Sequence, residues 1–202
     1  MNTYFNIRYE MAHAEVHRAI SEQVAANKAD YICVADGVIL NIANRKPEYL
    51  KIINGGMFSI CDSSYVPLYL KWIYGVRYEQ YCGSQIFKDI VSSRKYRMMF
   101  MGTSQRTLDG LKNTIKVWNP DVLAMTFYEL PFCNVNGFDY EDIARRVEES
   151  EADIIRVALG APKQVEWVYR IMRSPKRQLK RCSMIILTLP RLLFEEWRRK
   201  NG

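Results

Sequence analysis

Histidine is scarce in this chain, glycine forms no phosphate-binding fingerprint, and no apolar run approaches the length of a membrane span. Each absence excludes something. The two histidines, His13 and His17, lie one helical turn apart, a spacing that can bind zinc. The glutamate that follows the first histidine in the metalloprotease arrangement is missing, and no third ligand accompanies the pair, so both are expected at the surface. Five cysteines, Cys33, Cys61, Cys82, Cys133 and Cys182, are odd in number and scattered, without a Cys-x-x-Cys pair. That pattern excludes a zinc ribbon and a disulfide framework and leaves reduced, mostly buried thiols in a cytosolic protein. Neither a Walker loop nor Gly-x-Gly-x-x-Gly is present. The opening residues carry no basic stretch followed by an apolar run, so no signal peptide is expected, and no transmembrane helix either.

What is present is an ordinary globular composition with an uneven charge. The formal charge is +7, yet eleven basic and three acidic residues follow from Lys163 onward, so that stretch alone carries +8 and the remainder −1. A nearly neutral body with a basic tail points to an anionic partner, either lipid headgroups, phosphates or nucleic acid. The tail holds Arg170, Arg173, Lys176, Arg177, Lys180 and Arg181, then an apolar patch over Met184 to Leu189 that Leu192, Leu193, Phe194 and Trp197 continue. Such a segment suits an anionic membrane surface, and equally a helix pair packed on the body with a solvated basic face. No nucleic-acid motif accompanies the charge, so nucleic acid is not expected as a partner.

Before the tail, helical and strand patterns alternate. Ala12, Val16, Ile20 and Val24 recur every four residues and predict a helix over about 10–27; Pro47 to Asn54, Val66 to Ile73, Ser84 to Val91, Leu108 to Ile115 and Glu141 to Glu149 predict further helices. Strands are predicted at Tyr31 to Ala35, Met57 to Cys61, Arg97 to Met101, Val122 to Tyr128 and Ile154 to Leu159, the last as a buried parallel strand. Alternation of this kind implies an α/β, Rossmann-like, mainly parallel sheet with flanking helices. The division expected is an α/β domain over 1–164 and a basic helical appendage over 165–202.

Ligands of open α/β sheets gather at the carboxyl ends of the strands, which here present Asp36, Asp62, Gly102, and Lys163 with Gln164 after the Gly160-Ala161-Pro162 turn. Asp62 either caps the next helix or offers its carboxylate to a ligand, and a carboxylate can do both. The strand, Gly102 turn and following helix are either an anion site or an ordinary βα turn.

Several stretches together resemble the bacterial WecB/TagA/CpsF glycosyltransferases. They are Val34-Ala35-Asp36-Gly37, Ser59-Ile60-Cys61-Asp62-Ser63-Ser64, Glu79-Gln80-Tyr81-Cys82-Gly83, Phe100-Met101-Gly102 and, most specifically, Val157-Ala158-Leu159-Gly160-Ala161-Pro162-Lys163-Gln164. A block from Glu166 to Arg177 resembles the C-terminal appendage of that family. The resemblance implies transfer of an N-acetylhexosamine, typically N-acetylmannosamine, from a UDP-sugar to a polyprenyl-diphosphate-linked acceptor at the cytoplasmic face of the membrane, with inversion. No metal-ligand cluster is visible in the sequence, so the transfer is expected to need no metal or other cofactor. The resemblance assigns the general base to Asp62, pocket positions to Val34 and Asp36, and the donor border to Gly160 and Gln164; Gln80, Gly102 and Lys163 are further candidates for substrate binding. Arg170 and Arg177 match appendage arginines that meet diphosphate. Two departures stand out: Gln80 occupies a position where many relatives carry arginine, and Gln164 is followed almost at once by the appendage, as if several dozen residues were deleted. The alternative implied is an inactive, shortened relative that binds a membrane or a partner.

Overall fold

The computed structural model describes residues 1–131, 133, 138–158 and 190–201. It has the expected α/β, Rossmann-like character, with parallel strands flanked by helices, but the strands divide between two compact units. The first contains residues 1–86 together with the helix at 190–201, and the second contains the described residues from 87 to 158.

In the first unit the sheet runs in the order β1 (Asn2–Tyr4), β2 (Ile7–Tyr9), β4 (Phe58–Cys61), β3 (Ile32–Ala35). β1 and β2 form an antiparallel hairpin that the sequence did not announce, because its turn is made by Phe5 and Asn6, both at positive φ (50° and 62°). Two such residues build the turn whose twist matches a two-residue hairpin, a place normally taken by Asn-Gly. Phe5 is held there by burial, by its N–H donating to Glu196, and by its carbonyl accepting from Asn44 Nδ2 at 2.9 Å.

β2, β4 and β3 are parallel, with Ala35 level with Cys61 and Tyr9 level with Ser59. Helices α1 (His13–Ala25), α2 (Gly37–Arg45), α3 (Pro47–Gly55) and α4 (Tyr65–Tyr74) belong to this unit. α1 is rooted by Val16 and Ile20, as its period predicts, and α3 starts on proline, whose missing N–H costs nothing at a first turn. α2 is not among the predicted helices, because Asp36-Gly37 reads as a turn; Asp36 instead caps a helix that buries Leu40 and Ala43. The core gathers Ile7, Tyr9, Ala35, Leu40, Val66 and Leu70, and Leu192 and Leu193 of the helix at 190–201, α8, pack against it. Of the two readings of the tail, this end is packed on the body. The boundary expected at 164/165 lies outside the described residues.

In the second unit α5 (Gly83–Ser93), which starts in the first, leads to the parallel sheet β6 (Thr126–Tyr128), β5 (Met98–Gly102), β7 (Ile154–Ala158), with helices α6 (Gln105–Trp118) and α7 (Tyr140–Ser150). β5 is central and buried throughout. α6 buries Leu108 and Ile115 of its predicted stripe. Two expectations need correction. The strand predicted from Val122 begins only at Thr126, because the residue before Pro120 leaves helical backbone and Pro120–Ala124 turns as a 3-10 segment. β7 is parallel but not buried: among the described residues it is an edge strand, with Ile155 37% and Val157 53% exposed. α7 is fastened to β6 by Asp142, which accepts from Arg146 and from Tyr128 Oη; these bonds, Arg146 first, hold its carboxyl down to about 2.

Candidate functional site

The parallel register of β3 and β4 brings their carboxyl ends side by side, so Asp36 and Asp62 each stand one residue beyond neighbouring strands. The ladder continues that far, since the Asp62 N–H donates to the Ala35 carbonyl at 3.1 Å. The two acids are not equivalent. Asp36 Oδ1 accepts from the N–H groups of Val38 and Ile39 at 3.0 and 2.8 Å, a helix cap for α2 that also suits the positive end of its dipole.

Asp62 does not take the corresponding place on α4. The Tyr65 N–H is served by Ser63 Oγ at 3.3 Å, and Asp62 Oδ1 accepts from the Gly83 N–H, 3.1 Å away at the start of α5. Asp62 is half-buried, which leaves part of its surface open to a ligand. Val34 borders Gly83: a Cβ there would lie 3.2 Å from Val34 Cγ1, so the loop comes close to β3 at a residue without a side chain. Val34, Asp36, Asp62 and Gly83 are therefore brought together, with Gln80 exposed on the same loop three residues earlier.

Beneath the acids lie two neutral groups. Burial pushes the Cys61 thiol up to about 11, helped by the Asp62 charge and opposed by the Ser63 backbone. Burial, followed by Cys61 and Asp36, raises the Tyr9 hydroxyl well above its usual value, and this hydroxyl has no hydrogen-bond partner among the described residues. The floor of the edge therefore adds no charge at neutral pH.

Sequence reasoning missed the partners of the 75–82 loop. Tyr81 stacks on His13, with ring centroids 3.8 Å apart, and its hydroxyl lies 2.5 Å from His17 Nε2. The histidines are thus half-buried partners of a tyrosine rather than surface residues. No spacing rule links positions so far apart in the chain. Among the described residues no group of three metal-ligating side chains occurs.

Gly102 belongs to the second unit. Its φ is 110°, and a Cβ would stand 2.2 Å from the Ala158 carbonyl oxygen, so close β5 to β7 packing explains the glycine. Gly160, Lys163, Gln164, Arg170 and Arg177 lie outside the described residues. A cavity of about 320 Å³ lined by Asn41, Asn44, Arg45, Arg191, Leu192 and Glu195 contains none of the predicted site residues.

The fold and this edge define the class: an α/β, Rossmann-like protein with two carboxylates side by side at the carboxyl ends of parallel strands. Within that class the chain belongs to the glycosyl transferase WecG/TagA/CpsF family, whose description matches residues 3–165. It is accordingly a member of a family of glycosyltransferases of cell-surface polysaccharide synthesis. No curated protein matches the chain.

Proposed function

We propose that the protein transfers an N-acetylhexosamine, of the N-acetylmannosamine kind, from a UDP-sugar to a polyprenyl-diphosphate-linked acceptor, with Asp62 as general base. The observation that carries this reading is the placement of Asp62: half-buried at the end of β4, beside Asp36, and held by the Gly83 N–H. In the step proposed, the acceptor oxygen forms a bond to the anomeric carbon while the bond from that carbon to the UDP oxygen breaks. UDP leaves with the electron pair, Asp62 takes the acceptor's proton, and the anomeric centre inverts. Val34, Asp36 and Gln80 border the acceptor or donor on this unit, and Gly102, Gly160, Lys163 and Gln164 are assigned to the donor. Arg170 and Arg177 are assigned to diphosphate, a role suited to the forked guanidinium.

Attachment to the inner face of the cell membrane is part of the same reading. Among the described residues no helix is long and apolar enough to cross a membrane. Tyr65, Leu68 and Trp72 are exposed along one stripe of α4, and Phe194 stacks on Trp197 on the outward side of α8, near Arg191 and Arg198. Exposed aromatics with cationic neighbours suit the headgroup region of an anionic bilayer. Truncating the tail would strip Leu192, Leu193 and Glu196 from the first unit, so the cleaner test replaces Trp72 and Trp197 by serine. Loss of sedimentation with phosphatidylglycerol vesicles is expected, and unchanged sedimentation contradicts the membrane role.

The second reading, a non-catalytic shortened relative, is favoured by one observation: the exposed apolar face of β7, where a longer parallel sheet would continue. Calorimetric titration with UDP and UDP-N-acetylmannosamine separates the two. Saturable binding supports a working donor site, whereas no binding by the folded protein supports the second reading. Addition of EDTA leaves the proposed transfer unchanged, and activity restored only by a divalent ion contradicts its metal independence.

A further inference from the structure

We propose that His17 and His13 are positioning residues for the acid edge: through Tyr81 they fix the loop whose Gly83 N–H holds Asp62. The catalytic consequence rests on Asp62 being the base, but the positioning itself does not.

Tyr81 is the buried residue of the 75–82 loop, 3% exposed, while Arg77, Glu79 and Gln80 around it face solvent. Its ring lies on the His13 imidazole, the planes inclined by 23°, and its hydroxyl meets His17 Nε2 one turn further along α1. Both contacts come from one face of a helix that Val16 and Ile20 root in the core. A wholly apolar pocket would hold the ring but offer the phenol no hydrogen bond; the second imidazole supplies one.

Two residues later the Gly83 N–H donates to Asp62 Oδ1, and Gly83 sits close against Val34, where a Cβ would lie 3.2 Å from Val34 Cγ1. The loop is thus pinned on both sides of Cys82, by a side chain at 81 and by backbone at 83. Two covalently linked residues span only about 7 Å, so a shift of the Tyr81 ring reaches the Gly83 N–H without an intermediate hinge. A carboxylate held in one orientation by a fixed donor needs less rearrangement to accept a proton from a bound hydroxyl. The sequence shows why this arrangement escapes notice: His13 and His17 lack a metal ligand set, and Tyr81 lies more than sixty residues away.

Amide exchange at Gly83, read by NMR, tests the positioning without any catalytic assay. Tyr81→Phe keeps the stacking and loses the hydroxyl; His17→Ala loses its partner. Each is expected to speed Gly83 exchange by about tenfold relative to the Ile60 amide, the double variant no more than either alone, and His17→Gln to restore protection. Unchanged Gly83 exchange in a folded His17→Ala protein would overturn the proposal. In sugar transfer, with the rate referred to the folded fraction measured by circular dichroism, the same variants are expected to lower kcat by about tenfold with KM for the donor unchanged, and His17→Gln to restore it. Asp62→Asn, run alongside, separates the two ideas. Transfer retained by that variant removes the base role, while the exchange result decides the positioning either way.

Discussion

Replacing Glu196 by alanine should unfasten α8 and weaken the β1–β2 hairpin together. Glu196 is 4% exposed, accepts from the Phe5 N–H at 3.0 Å and the Tyr74 hydroxyl at 2.5 Å, and pairs with Arg199. Alanine leaves the Phe5 N–H buried without a partner, at about 2 kcal/mol, and takes the acceptor from the part-buried Tyr74 hydroxyl, which still accepts from Arg199, at about 1 kcal/mol. Arg199 is 43% exposed and can turn its guanidinium to water, so its pair adds little. The sum is about 3 kcal/mol, a fall in Tm of roughly 6–12 °C for a chain of this size. Glu196→Gln keeps an acceptor oxygen and should lose only about 1 kcal/mol. Because the chain has two units, amide exchange over 1–86 and 190–201 is the better assay than one global transition. A loss below about 0.5 kcal/mol in Glu196→Ala would refute the view that this carboxylate anchors the helix.

Two glycines of the second unit should respond with opposite sign. Gly102→Ala meets the Ala158 carbonyl at a positive φ and should cost at least about 2 kcal/mol, whereas Gly110→Ala fills open space inside α6 and should add about 0.5–1 kcal/mol; urea unfolding measures both. Equal stability of the two variants would contradict the close β5 to β7 approach. Cys61, whose thiol is pushed up to about 11, should stay protonated and unmodified by iodoacetamide at pH 8 while exposed Cys133 reacts, as peptide mass spectrometry would show. Modification of both at one rate would mean that Cys61 is not buried as described.

Much of the scaffold is legible from periodicity because single faces decide it. Val16 and Ile20 root α1, Leu108 and Ile115 root α6, and the apolar runs at β4 and β5 end where their acid or glycine suggests. Asp36 and Asp62 are legible as a pair for the same reason: each follows an apolar run, and the parallel register makes them neighbours. What escapes the sequence is set by distant contacts. The Phe5-Asn6 turn lacks the usual residues and is stabilised by Glu196 and Asn44, and Tyr81 finds its histidines across the unit. An apolar run such as Ile154 to Ala158 also cannot report how many strands flank it, so β7 reads as buried yet lies at an edge. Asp62 also reads as a cap for α4, but its carboxylate reaches to Gly83, twenty-one residues along the chain.

The most direct measurement is sugar transfer by Asp62→Asn, with UDP-N-acetylmannosamine as donor and a short polyprenyl-diphosphate-linked acceptor, beside the unaltered protein. Asparagine keeps the Oδ1 acceptor for the Gly83 N–H but cannot take a proton at neutral pH. The account predicts a fall in kcat of about 10²- to 10⁴-fold, the usual worth of a general base, with donor binding and unfolding unchanged. Transfer at the unaltered rate by the folded variant would contradict it.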